Sequence, residues 1–170
     1  MKLEFIHSYA VELSQLLQPY CKQIVIAGSI RRKKPDDIKD IEIVCIPDKW
    51  KLEEFFLKEK SSNPYTFNFT KNGSAYKQFT WKSQKIDLFI CKPDNFGWIY
   101  LMRTGSAEFN QWYLSLYRKK HGITGDKKAS DGGYLRDAYG NKIITPDETA
   151  VFDLIDRPFV EPKNRNNGHG

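Results

Sequence analysis

Three acidic residues in apolar surroundings are the side chains of this sequence best suited to chemistry. Asp40 and Glu42 are separated by one isoleucine, and Asp87 stands between an isoleucine and a leucine. Side chains along a strand alternate between faces, so Asp40 and Glu42 would share a face. If the strand of Asp87 lies beside theirs, three carboxylates meet, and they repel one another unless cations neutralise them. The sequence therefore predicts a site for two Mg²⁺ ions, or Mn²⁺; for Asp40 and Glu42 alone, a solvated acidic strand edge is the alternative.

A basic turn precedes the first acidic strand. Gly28 ends a short apolar stretch, and Ser29, Arg31 and Arg32 follow it. Backbone N–H groups, a hydroxyl and guanidinium groups at such a turn can converge on a phosphate. A solvated basic turn is the other interpretation of the same residues.

The elements that would position these residues follow from periodicity and turn signals. Residues 3–20 have helical spacing and end near Pro19, with Phe5 among the apolar positions. A second helix is predicted over residues 49–60 with Trp50 facing inward. The Asn72–Gly73 pair lies between two alternating stretches and predicts a hairpin, and residues 85–91 predict the strand of Asp87.

The second half of the chain is predicted to be mostly helical. A helix begins at Phe96, and Ser106 is expected to cap the next one. Residues 123–133 are polar and glycine-rich, which favours a mobile loop, and a small hairpin should follow. Thr145 is expected to cap a last helix, with Glu148 completing a capping box. A basic, polar tail follows Pro158.

Composition narrows the classes of function. The chain has 170 residues, 40% hydrophobic and 28% charged, with a net charge of +6, which favours a polyanionic partner. Its three cysteines form no C-x-x-C pair, and no long apolar run is present. We expect reduced thiols, no membrane association, an intracellular (cytoplasmic or nucleoid-associated) and not secreted protein, and a monomer. The three histidines show no metal-ligand spacing.

Taken together, three sequence blocks resemble the family X DNA polymerases, the DNA polymerase beta-like nucleotidyltransferases. The blocks are IAGSIRR with KDIEIV, then KIDLFI, and finally RTGSAEFN with the closing FDLIDRPFVEPKNR. The resemblance implies an α+β fold with a nucleotidyltransferase palm over residues 1–92, built on a mixed or antiparallel sheet with helices. It also implies a small α/β thumb subdomain over residues 93–170, with the basic C-terminal tail.

The resemblance also implies roles for individual residues. Asp40 and Glu42 would bridge two metal ions, and Asp87 would hold the catalytic one and help take the proton from a primer 3′-hydroxyl. Residues of the two lobes would bind the incoming deoxynucleoside triphosphate: Gly28, Ser29, Arg32, Met102, Arg103, Thr104, Gly105 and Asn110. The implied reaction adds deoxynucleotides to a primer in gapped or primer–template DNA and releases pyrophosphate.

This sequence departs from the family pattern at several positions. Glu42 replaces the usual aspartate, Met102 and Arg103 replace an aromatic pair, and Ala107 replaces a polar residue. We expect weaker discrimination against ribonucleotides. We also expect no N-terminal lyase and DNA-binding modules, and an affinity for DNA that falls steeply as the salt concentration rises. Two other functions stay open: transfer to an RNA end or a small hydroxyl compound, and nucleic-acid binding without catalysis.

Overall fold

A computed structural model of the chain describes residues 3–35 and 37–167 and divides it into two compact units. The first unit is Met1–Cys91 and the second is Lys92–Gly170. Among the described residues, no helix combines the length and the apolar character that crossing a membrane requires.

The first unit is a five-stranded mixed sheet with helices. Its elements, in chain order, are α1 (Leu3–Leu17), β1 (Cys21–Ile26), α2 (Gly28–Arg31), β2 (Ile41–Pro47), α3 (Lys51–Ser62), β3 (Asn68–Asn72), β4 (Tyr76–Trp81) and β5 (Gln84–Ile90). The strand order is β1-β2-β5-β4-β3, with β2 and β5 parallel and the other neighbours antiparallel. The predicted α+β class with a mixed sheet is confirmed.

One face of this sheet packs on the core of the unit. Helices α1 and α3 contribute apolar side chains to the same cluster as Ile41, Ile43, Ile86 and Leu88 of the central strands. Because side chains alternate along a strand, the residues between these positions project from the opposite face. Glu42 and Asp87 are therefore placed together on the face of the sheet opposite the one that packs on α1 and α3.

Two aromatic residues predicted to face the core are exposed instead. Trp50 is 64% exposed because α3 begins one residue later, so this side chain precedes the helix rather than lying on its apolar face. Phe5 is also 64% exposed. The buried stripe of α1 begins at Ile6, and neighbouring residues on a helix point about 100° apart.

The three cysteines all lie in the first unit and are buried with free thiols, as expected. Cys91 donates its backbone N–H and its thiol to the carbonyl of Cys45, at 2.9 and 3.2 Å. Burial raises the pKa of Cys91 to about 12, so this thiol stays protonated at neutral pH.

Up to residue 167, the second unit combines three α-helices and a short 3₁₀ helix (Pro162–Asn164) with a small three-stranded sheet. Its elements are α4 (Phe96–Thr104), α5 (Ala107–Lys120), β6 (Ser130–Asp131), β7 (Tyr134–Arg136), β8 (Lys142–Ile143) and α6 (Glu148–Asp153). Ser106 caps α5 as predicted, because its hydroxyl accepts a hydrogen bond of 3.1 Å from the N–H of Phe109. The stretch expected to be a loop contains β6, which pairs with β7.

The cap of α6 differs from the prediction. Asp147, rather than Thr145, accepts the hydrogen bond from the N–H of Ala150, at 2.8 Å. Thr145 lies fully buried beside α4 and accepts a hydrogen bond from the N–H of Trp98. Glu148 does not close a capping box either, because its carboxylate pairs with the buried guanidinium of Arg165. Tertiary partners therefore replaced the local capping pattern.

Candidate active site

The central strands bring two of the three acidic residues side by side. In the parallel pairing of β2 with β5, Glu42 is the register partner of Asp87. Asp87 is 7% exposed, and Glu42 is half-buried. Asp40 immediately precedes β2 rather than lying within it. The neighbouring position of the two strands, on which the predicted cluster depended, is confirmed.

Asp40 and Asp87 converge on one cation, the ammonium group of Lys85. Its Nζ lies 3.5 Å from Asp40 Oδ2 and 3.6 Å from Asp87 Oδ2. The negative charge of Asp87, and then that of Asp40, raises the pKa of Lys85 above its usual value. Mg²⁺ is usually bound through one or two carboxylates, with water and substrate oxygens completing its octahedral shell, so two carboxylate oxygens that share one positive charge are suitable partial ligands for such an ion.

Glu42 has its carboxylate over the Gly28 turn. A Cβ atom built on Gly28 would stand 1.9 Å from Glu42 Oε2, and the φ of Gly28 is +62°. The positive φ therefore favours glycine, and a Cβ atom at this position would displace the Glu42 carboxylate. Within residues 3–35 and 37–167, no three His, Cys, Asp or Glu side chains form a group that could hold a metal. Metal binding by Asp40, Glu42 and Asp87 together stays a prediction.

Gly28→Ala should disturb Glu42. We expect primer extension to fall by at least about tenfold, because the new methyl group occupies the space of the Glu42 carboxylate. Gly122→Ala is the matched control: Gly122 has the same φ of +62°, and no described atom lies within 4 Å of its added Cβ. Both substitutions place alanine in the left-handed region, at about 1–2 kcal/mol. Equal losses of extension in the two variants would contradict the role given to Gly28.

The Gly-Ser turn brings together the predicted phosphate-binding residues Ser29 and Arg32. The guanidinium of Arg32 donates a hydrogen bond of 3.1 Å to the hydroxyl of Ser29, and its backbone N–H bonds the carbonyl of Gly28. Arg31 instead lines a pocket of about 470 Å³ with Leu3, His7 and other residues of α1 and β1. The two arginines therefore lie in different surroundings, and Arg32 is the one grouped with Ser29.

The second unit holds the remaining predicted nucleotide-binding residues at the junction of α4 and α5. Thr104 is fully buried at the end of α4, and Gly105 donates its N–H to Leu101. Asn110 donates its side-chain amide to the carbonyl of Met102 at 2.8 Å. Its Oδ1 would lie 2.5 Å from a Cβ atom on Gly105, so glycine leaves room for this amide.

Comparison with known proteins shows a similarity that covers part of the chain. No family model matches the chain. A segment of 85 residues is 31% identical to DNA polymerase IV of Saccharomyces cerevisiae and makes up 49% of this chain. The chain is similar to part of a DNA polymerase. The aligned segment covers only 13% of the length of that relative.

Sequence reasoning missed three residues around Asp87. Lys85 lies two residues before Asp87 on the same strand, so the period of two already placed both on one face. Tyr76 and Gln78 lie on β4, and the phenol of Tyr76 and the amide of Gln78 both donate to Asp87 Oδ1. Finding them required the register of β4 against β5.

Proposed function

We propose that this chain is a nucleotidyltransferase that adds deoxynucleotides to a primer 3′-hydroxyl in DNA and releases pyrophosphate. One observation carries the proposal: Asp40 and Asp87 direct one carboxylate oxygen each at a shared cation, beside Glu42 on the same sheet face. The similarity to part of a DNA polymerase supports it, and so does the net charge of +6.

Asp40, Glu42 and Asp87 are the residues that would hold two Mg²⁺ ions, or Mn²⁺ in their place. Divalent ions at such a site polarise phosphoryl oxygens and neutralise the charge that develops during in-line displacement. Asp87 is the carboxylate that we expect to help take the proton from the attacking 3′-hydroxyl. Its burial favours this role, because electrostatic interactions are stronger where water is scarce.

The Gly-Ser turn would bind the β- and γ-phosphates of the incoming nucleotide. The hydroxyl of Ser29 and the guanidinium of Arg32 lie 3.1 Å apart, so both donors can reach one phosphate group. In the second unit, Met102, Arg103, Thr104 and Gly105 would lie near the sugar, and Asn110 near the base. These assignments rest on the resemblance to family X polymerases.

Arg32→Ala should weaken nucleotide binding more than Arg31→Ala. Loss of a charge-assisted hydrogen bond costs roughly 1.5–3 kcal/mol, so we expect the Kd for the triphosphate to rise by at least about tenfold. Arg31→Ala is the matched control, since it removes the same charge from the neighbouring position. The measurement is a calorimetric titration of deoxynucleoside triphosphate into protein with gapped DNA whose primer lacks a 3′-hydroxyl, so that binding is measured without extension. A larger effect of Arg31→Ala would reverse the assignment.

The proposed function is tested by incubating the chain with a labelled duplex carrying a one-nucleotide gap, Mg²⁺ and single deoxynucleoside triphosphates. Extension by the nucleotide complementary to the gap supports template-directed synthesis. Extension by all four nucleotides indicates untemplated transfer, and extension of an RNA primer alone points to the other acceptor class. Binding of the duplex without any extension in Mg²⁺ or Mn²⁺ would leave the nucleic-acid-binding function and overturn the proposal.

A further inference from the structure

The two oxygens of the Asp87 carboxylate have different surroundings. Oδ1 accepts hydrogen bonds from the phenol of Tyr76 at 2.5 Å and from the amide of Gln78 at 2.8 Å. The same Gln78 nitrogen lies 3.0 Å from the phenol oxygen of Tyr76, which closes a three-membered network. Oδ2 instead lies toward Lys85. Oδ1 therefore accepts hydrogen bonds from two neutral donors, and Oδ2 is the oxygen near the ammonium group of Lys85.

The register of the sheet holds both donors in place. Gln78 on β4 is directly opposite Asp87 on β5, and Tyr76 is opposite Phe89. The ring of Tyr76 stacks on that of Phe89, with centroids 5.1 Å apart and planes at 15°. The hydroxyl of Thr70 lies 3.0 Å from Gln78 Oε1 and 3.2 Å from the backbone carbonyl of Gln78. With Oε1 toward Thr70, the amide nitrogen of Gln78 faces Asp87. Asp87 is 7% exposed, which limits replacement of these donors by water.

We infer that Tyr76 and Gln78 are positioning residues that make Asp87 a one-oxygen ligand and thereby favour Mg²⁺ over Ca²⁺. The inference rests on the proposed function, since it concerns the same metal site. Mg²⁺ demands near-ideal octahedral geometry, which single carboxylate oxygens and water supply. Ca²⁺ takes six to eight oxygens and often uses both oxygens of a carboxylate. Ca²⁺ can bind Asp87 in that way only if Oδ1 gives up its hydrogen bonds.

The test measures metal selectivity directly, using Mn²⁺ as the probe on the chain of 170 residues. Free Mn²⁺ is followed by electron paramagnetic resonance while Mg²⁺ or Ca²⁺ competes for the site. We compare the wild type, Tyr76→Phe, Gln78→Leu and the double variant. The double variant should shift the ratio of the Ca²⁺ to the Mg²⁺ affinity toward Ca²⁺ by about tenfold or more, because one hydrogen bond to a charged group is worth at least that factor.

Two control variants remove the same groups from exposed positions of the first unit. Tyr65, which is 91% exposed, is changed to phenylalanine, and the exposed Gln23 is changed to leucine. Neither change should move the Ca²⁺ to Mg²⁺ ratio. Should the double variant fail to fold, Tyr76→Phe keeps its ring on Phe89 and still removes the phenol donor. A selectivity ratio within twofold of wild type in the folded Tyr76 and Gln78 variants overturns the inference.

The outcome separates this inference from the proposed function. If the wild type extends primers and the selectivity ratio is unchanged in the variants, the inference fails and the function stands. If the wild type extends no primer but the ratio shifts, the metal site is supported and the polymerase function fails. If Asp87→Asn leaves Mn²⁺ binding unchanged, Asp87 is not a ligand, and the inference is overturned. Among active variants, we expect a lower kcat in Mg²⁺ and a nucleotide KM within about twofold of wild type.

Discussion

Asp87→Asn should retain the fold and lower primer extension by at least ~10²-fold, the usual loss when a general base is removed. Asparagine keeps an oxygen that can accept the hydrogen bonds of Tyr76 and Gln78 at Oδ1. The NH₂ group of asparagine takes the place of Oδ2, the oxygen that faced Lys85, and an amide nitrogen cannot accept a proton or bind a metal. The loss should therefore fall on catalysis and metal binding, whereas packing is preserved.

The matched control for this loss of charge is Asp37→Asn. Asp37 is exposed in the first unit with a φ of 59°, a conformation that asparagine adopts readily. Extension of the gapped duplex is measured under single-turnover conditions for both variants, together with melting temperature. Activity of Asp87→Asn within about tenfold of wild type would remove Asp87 from the catalytic role.

Arg165→Met should cost about 3–5 kcal/mol of unfolding free energy, the usual cost of removing one partner of a buried ion pair. Arg165 is fully buried, pairs with the buried Glu148 and donates to the carbonyl of Val160 at 2.8 Å. Its guanidinium also lies 5.0–5.8 Å from the rings of Phe109, Phe152 and Phe159. The substitution leaves the Glu148 carboxylate buried without its cation.

The measurement is a urea titration, with Arg157→Met as the matched control. Arg157 is an exposed arginine of the same unit, so its loss should change the unfolding free energy by less than about 0.5 kcal/mol. A double variant, Arg165→Met with Glu148→Leu, should recover part of the stability because it also removes the buried Glu148 carboxylate that faced Arg165. Equal stability of Arg165→Met and Arg157→Met would show that the buried pair contributes little.

Several helices and strands, and the acidic residues beside the buried isoleucines of β2, could be predicted from residue patterns because those patterns are local. Alternation of isoleucines with Asp40 and Glu42 predicted which face is buried, and Ile41 and Ile43 are indeed core residues. Asn72–Gly73 predicted the β3–β4 hairpin, and Ser106 predicted the start of α5, each through the chemistry of a few neighbouring residues. Prediction failed at Trp50 and Thr145, where a helix boundary and a tertiary partner decided the outcome.

The partners of Asp87 could not be predicted because they depend on a turn without a strong sequence signature. Strands β4 and β5 are joined by Lys82 and Ser83, which both have positive φ, at 47° and 63°. Two-residue turns of this kind usually carry asparagine or glycine, so their site is hard to recognise here. That turn sets the register that places Gln78 opposite Asp87.

By itself, the sequence determined the acidic and basic groups available for chemistry and the strand face on which Glu42, Lys85 and Asp87 lie, since alternation along a strand is a local property. Only the tertiary structure decided that β5 lies beside β2, and that Lys85 stands between Asp40 and Asp87. It also decided that Tyr76 and Gln78 donate hydrogen bonds to the same oxygen of Asp87, Oδ1. These contacts join residues distant in the chain, and strand pairing across the sheet fixes them rather than any local preference.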